Sequence, residues 1–266
     1  MSVLEVFLWV FLPYASITLF VAGHIWRYRC DQLGWTSRST QLLESRLLRW
    51  GNPLFHYGAL LAIGGHVIGL LIPEQVTSAV GISESTYHLI AVSAGTLAWV
   101  MVVAGLFILT YRRAANRRVR ATTTVVDVMV FALLFIVIAL GVWETTGINT
   151  LGMAYNYRVS VSVWFRGLFY FQPQPQLMTS APVIFQLHVI FAFVIFALWP
   201  FSRLVHAWSI PLTYLGRAQI LYRSMRTSRR QRGKPGGRSG EQVPQPVAHV
   251  AQPREPASQA ATATEE

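Results

Sequence analysis

The stretch LFHYGALLAIGGHVIGLLI, residues 54–72, decides the fold. It holds no Asp, Glu, Lys or Arg, and as a helix rising ~1.5 Å per residue it matches the ~30 Å apolar core of a bilayer. Two histidines, His56 and His66, interrupt it. An ionisable ring at such depth is costly unless something faces it. The segment therefore predicts a transmembrane helix and a partner for its histidines.

Outward from this stretch, four further apolar runs cover residues 6–25, 88–109, 125–143 and 183–204. The chain of 266 residues is 53% hydrophobic and only 12% charged, about half the charged share of a soluble domain. Such a composition excludes a soluble globule and predicts an all-α, polytopic protein with five transmembrane helices. The first run could be a secretory signal, but no basic residue precedes it and Arg27 and Arg29 follow it, so it is expected to stay as a helix. The net charge of +11 raises the question of nucleic acid. The arginines lie between apolar runs and in the tail, with no basic stripe bearing stacking aromatics, so nucleic acid is not an expected partner. Cys30 is the single cysteine, which excludes an internal disulfide and a multi-cysteine metal site.

The arginines set a direction. Arg27, Arg29, Arg38, Arg46 and Arg49 lie between spans one and two, and Arg112, Arg113, Arg117, Arg118 and Arg120 between spans three and four. Residues 73–87, between spans two and three, carry Glu74 and Glu84 and no basic residue. Because basic loops stay cytoplasmic, the N-terminus is expected outside and the C-terminus inside, in a cell membrane. Residues 145–180, rich in aromatics, are expected on the outer membrane surface. The domain division is 1–226 for the membrane part and 227–266 for an Arg-, Pro-, Gln- and Ala-rich cytoplasmic tail without apolar periodicity.

Of the seven histidines, four fall in two spans: His56 and His66 in span two, His188 and His206 in span five or at its inner end. Antiparallel direction places His56 at the depth of His206, near the inner face, and His66 at that of His188, near the outer. His56 and His66 are ~15 Å apart along their helix, whereas His188 and His206 would be ~27 Å apart on an unbroken one. Tilt and a bend near Pro200 are expected to absorb the difference. Facing imidazoles suit the axial positions of a porphyrin iron. Zinc would ask for three or four close ligands, a proton relay for nearby carboxylates, and the spans hold only Asp127 and Glu144 at opposite ends. Two non-covalent b haems are thus expected, since no Cys-x-x-Cys-His exists. Gly58, Gly65 and Gly69 either admit the macrocycle or serve close helix packing. Arg112, Arg113 and Arg203 either meet propionates or only mark topology. Filled axial positions leave electron transfer as the chemistry, with a quinol as the membrane-soluble donor. His88, preceded by Tyr87, stands at the right depth to take its proton, or else anchors the helix end.

The strings Phe55-His56-Tyr57-Gly58, Gly65-His66, Arg118-Val119-Arg120-Ala121-Thr122-Thr123-Thr124 and Phe201-Ser202-Arg203-Leu204-Val205-His206-Ala207-Trp208 resemble the gamma subunit of membrane-bound respiratory nitrate reductase. The resemblance runs from the first span to about Tyr222. It implies a five-span di-haem cytochrome b that oxidises quinol, menaquinol included, at its outer side. Electrons would pass to an iron–sulfur beta subunit and then to a molybdenum-containing alpha subunit, where nitrate is reduced. The family's axial pairs match His66 with His188 and His56 with His206. Its best-known members carry a lysine near the start of span three, where this chain has Tyr87 and His88. Two other readings stand beside it: a haem b anchor of another quinone-linked reductase, and a non-redox anchor or transporter whose histidines only bridge helices.

Overall fold

The computed structural model describes residues 2–31, 34–36, 39–148 and 155–208. The expected tail, 227–266, and the boundary at 226 lie outside them. Five helices are long and apolar enough to cross a membrane: Val3–Cys30, Arg46–Leu71, Glu84–Ala115, Val125–Ile148 and Val183–Phe201. They are called spans one to five below, and they make the chain a multi-pass membrane protein. Most run past the apolar stretches that announce them, because polar flanks close the helix ends. The Ser83 side chain accepts from the Thr86 N–H at the start of span three. At the start of span four Thr124 and Asp127 form a reciprocal capping box.

The spans pack in the order two, three, four, five, one. Spans two and three lie together along their length because glycines remove the side chain at the contact. A Cβ on Gly58 would stand 2.8 Å from the backbone N of Val102 and 2.9 Å from the Ala98 carbonyl, and one on Gly105 would strike the Phe55 backbone. Span five sits between spans one and four, and no extended backbone packing joins it to span two among the described residues. Its α-helix ends at Leu198. Pro200 then lies in a short 3-10 turn, Ser202 is extended, and a second 3-10 turn, Arg203–Trp208, carries His206. The bend expected near Pro200 is present, and it is sharp enough to place His206 beyond the span. Arg27 of span one, 6% exposed, fastens it by donating to the carbonyls of Pro200 (2.6 Å) and Ser202 (3.0 Å).

The segment after span four packs over the start of span one and the end of span two, the ends expected on the outer side. Its helix Val161–Phe169 has Trp164 fully buried and edge-on to Trp9 at 5.9 Å. The reason is polar as well as apolar. Span two ends in a π turn, Val67–Leu71, and a helix end leaves its last carbonyls without intrahelical donors. Ser162 donates to the Gly69 carbonyl at 2.9 Å and Arg166 to that of Leu70 at 2.9 Å. Phe169, Tyr170 and Phe171 are exposed at the end of this helix.

Candidate functional site

Two pairs of imidazoles face each other between span two and the chain of span five. The ring centres of His66 and His188 are 6.0 Å apart with planes at 33°. Those of His56 and His206 are 5.9 Å apart at 64°. These are the pairings that matched depth predicts. Among the described residues no cluster of three or more His, Cys, Asp or Glu could hold a bare metal ion, so each site offers two ring nitrogens and little else.

Local helix geometry aims three of the four rings. His56 Nδ1 meets the Asn52 carbonyl at 2.8 Å, His66 Nδ1 the Ala62 carbonyl at 2.7 Å, and His206 Nδ1 the Arg203 carbonyl at 2.5 Å. A carbonyl only accepts, so each Nδ1 carries the proton and each Nε2 keeps a free lone pair directed away from its helix. His188 differs. Its Nδ1 finds no carbonyl among the described residues and stands 3.4 Å from Oε1 of Glu144, both side chains 14% exposed. Gly141 allows this approach, since a Cβ there would be 3.0 Å from His188 Cε1.

The three glycines of span two singled out in the sequence divide. Gly58 is used up by packing on span three, and a side chain on Gly69 would strike the Tyr157 hydroxyl. Of the three, Gly65 is the one that leaves a face without neighbouring protein atoms. A Cβ there meets nothing within 4 Å, as at Gly64.

The arginines divide in the same way. Arg112 is spent on the loop before span two: Nε reaches Glu44 Oε2, Nη1 the Thr40 hydroxyl, and Nη2 the carbonyls of Thr40 and Glu44. Burial pushes the Glu44 carboxyl up, but the Leu47 N–H and the Arg112 guanidinium outweigh it and hold the carboxyl below its ordinary range. Arg203 forms a two-pronged pair with buried Asp127, through Nε at 2.6 Å and through Nη2. An anion-binding role thus has to share Arg203 and loses Arg112. Arg113 keeps one: its guanidinium lies 4.7 Å over the Phe131 ring, and its Nη1 is buried with no hydrogen-bond partner among the described residues.

At the other end, Tyr87 belongs to a polar knot that sequence reasoning missed. Its hydroxyl is 3.3 Å from that of Tyr157, and the Arg158 guanidinium covers its ring at 3.9 Å. Arg158, 2% exposed, also pairs with Glu84 at 2.9 Å and donates to Thr77 Oγ1 at 2.9 Å. Burial, and then the Tyr87 hydrogen bond, push the Tyr157 phenol up, so it stays protonated. His88, one residue on and ~100° round the helix, lies outside the knot and has a buried Nε2 without a hydrogen-bond partner among the described residues. It shares a face with Gly95, seven residues further on, whose Cβ position is 3.4 Å from Thr145; this face looks toward span four. Glu144 and Asp127 were visible in the sequence as the two acids of span four, but nothing in their spacing named their partners.

The family model described as "Nitrate reductase gamma subunit" matches residues 5–225. The chain is 45% identical over 216 residues to the nitrate reductase gamma chain of Bacillus subtilis, covering 81% of this chain and 96% of that one. It is 32% identical over 230 residues to the respiratory nitrate reductase 2 gamma chain of Escherichia coli, covering 84% and 98%. It is also 48% identical over 217 residues to the nitrate reductase-like protein NarX of Mycobacterium tuberculosis, covering 81% of this chain but only 33% of that longer protein.

Proposed function

The chain belongs to the nitrate reductase gamma subunit family, and from that membership we propose that it is the quinol-oxidising cytochrome b subunit of a respiratory nitrate reductase. His66 with His188, and His56 with His206, would each hold the iron of one haem b. The observation that carries this is the pair of facing imidazoles with Nε2 turned outward. Two rings bound through Nε2 at ~2.0 Å, the length of metal–imidazole bonds, stand ~6 Å apart by their centres, which is the spacing at both sites. Bound there, a bis-histidine haem supplies a one-electron couple without an open coordination position. The side-chain-free face at Gly65 and the unsatisfied Nη1 of Arg113 suit a macrocycle edge and a propionate respectively.

The orientation is that of the arginine rule, with His88 toward the outside. His88 Nε2 accepts one of the two protons as quinol is oxidised beside span three, the other passes to the outer aqueous side, and Tyr87 on the neighbouring helix face carries Arg158, which pairs with Glu84. Electrons cross by the His66–His188 site and then the His56–His206 site. They leave on the arginine-rich face to an iron–sulfur beta subunit, which serves a molybdenum-containing alpha subunit where nitrate becomes nitrite.

The test is a spectrum and a haem count on the purified membrane complex. Two b haems per chain should appear, both reducible by a quinol analogue. His88→Leu should slow that reduction ~100-fold or more, the scale of a lost proton acceptor, while dithionite still reduces both haems. One haem or none would overturn the proposal, and unchanged quinol-driven reduction in the variant would remove His88 from it.

A further inference from the structure

We infer that Arg27 is a positioning residue for His206, its guanidinium reaching across from span one to fix the His56–His206 pair. The inference rests on the haem reading above and adds to it a residue that the sequence offers only as a topology charge. A charge that merely marks the cytoplasmic side stays in water or snorkels to it, as exposed Arg29 does two residues on. Arg27 is 6% exposed and is spent on protein.

His206 is the one ligand of the four that no long helix carries. The α-helix of span five stops at Leu198, and the chain reaches His206 through two 3-10 turns with extended Ser202 between them. Part of the support is internal. The Ser202 N–H and hydroxyl both donate to the Trp199 carbonyl, at 3.1 and 2.9 Å, and the Trp199 indole donates to the Leu204 carbonyl at 2.9 Å. The carbonyls of Pro200 and Ser202 receive Nη1 of Arg27, at 2.6 and 3.0 Å. Nη2 donates to the Gly34 carbonyl, in the loop after span one, at 2.6 Å, and Asp31 sets a counter-charge 3.6 Å from Nε. Gly23, one turn earlier on the same face, makes room for the contact, since a Cβ there would stand 2.6 Å from Pro200 Cγ.

A planar fork on three carbonyls defines a position as well as a charge. Without it, two carbonyls in a buried contact lose a charged donor, and the turn is free to shift against span one. His206 Nδ1 is held by the Arg203 carbonyl of that same turn, so the ring moves with the turn while His56 stays on span two. His188 lies ahead of the break, in the α-helix of span five, and does not share this dependence.

The ferric signal of a bis-imidazole haem depends on the angle between its ligand planes, and the two pairs differ in it, 33° against 64°. Electron paramagnetic resonance therefore separates them, and the signal missing from His56→Ala marks the His56–His206 site. The experiment compares this spectrum and the haem content for the complex with Arg27, Arg27→Lys and Arg27→Met. Arg27→Met should weaken the marked signal about tenfold, the scale of one lost hydrogen bond to a charged group. Arg27→Lys, whose ammonium does not span three carbonyls, should keep the haem with the marked signal shifted, and the other signal should be the same in all three. A marked signal unchanged in Arg27→Met, or both signals altered alike, overturns the assignment. Should Arg27→Met fail to assemble, thiol labelling decides. With Cys30→Ser removing the exposed native thiol, Ser202→Cys places a thiol at a position 3% exposed. In the detergent-solubilised complex it should react about tenfold faster beside Arg27→Lys than beside Arg27, because the turn opens more often. Equal rates overturn the assignment. Labelling needs no cofactor, so a wild type without haem would remove the haem reading and still leave the clasp to be judged by these rates.

Discussion

The two facing histidine pairs solve one geometric problem with different supports. At His56–His206 both rings lean on backbone carbonyls, and the acid of span four, Asp127, acts one step away. It grips Arg203, whose carbonyl orients His206. At His66–His188 one ring leans on a carbonyl and the other faces the acid of span four directly. Span four therefore sends one acidic residue toward each site, Asp127 paired with the Arg203 guanidinium and Glu144 3.4 Å from the His188 ring. Position in the helix sets the first contact and tertiary packing the second, so sites with the same ligands need not behave alike.

The strongest way to break the comparison is to remove ligands. His66→Ala or His188→Ala should cost one haem, and His56→Ala or His206→Ala the other, each halving the haem content in a pyridine haemochrome assay with distinct residual spectra. If His56→Ala and His188→Ala deleted the same haem, the pairing would be wrong.

A smaller effect is expected from the support at Asp127. Asp127→Asn strands Arg203 and weakens the cap at Thr124. Breaking a buried pair from one side costs ~3–5 kcal/mol, so the thermal transition of the purified complex should fall, with the haem at His56–His206 released first. Adding Arg203→Gln should cost less than the two changes summed. A single variant as stable as wild type would show the pair to be ornamental.

The smallest expected effect separates two glycines of span two. Gly58→Ala forces a Cβ into the backbone of span three and should cost ~1–3 kcal/mol, the usual range for overpacking. Gly65→Ala meets no protein atom within 4 Å and should leave unfolding unchanged while altering haem absorbance. Equal melting losses in the two variants would place Gly65 in the packing as well.

Much of this architecture is legible in the sequence, because bilayer thickness and arginine placement act locally on each segment. Five spans, the His pairings by depth and the bend near Pro200 follow from counting residues. The fate of individual polar groups does not. Arg112 and Arg203 look alike as flanking charges, but their use is settled by Glu44, Thr40 and Asp127, each brought in from a distant segment. Asp127 and Glu144 looked too far apart to cooperate, and they are; each instead has its own partner across a helix interface. The docking of Val161–Phe169 was hidden for the same reason, since the carbonyls that Ser162 and Arg166 satisfy belong to span two.

The carbonyl-bound histidines carry a consequence for assembly. A free imidazole on a helix samples several rotamers, and freezing it at the moment of ligation charges that lost entropy to the binding step. Here His56, His66 and His206 are already held by carbonyls of their own segments, so the loss is incurred when the helix forms. On the haem reading proposed above, a cofactor arriving during biogenesis would meet a half-built coordination sphere and need only the approach of two segments to complete it. Membrane insertion and metal capture would then be separable steps, with the first preparing the second.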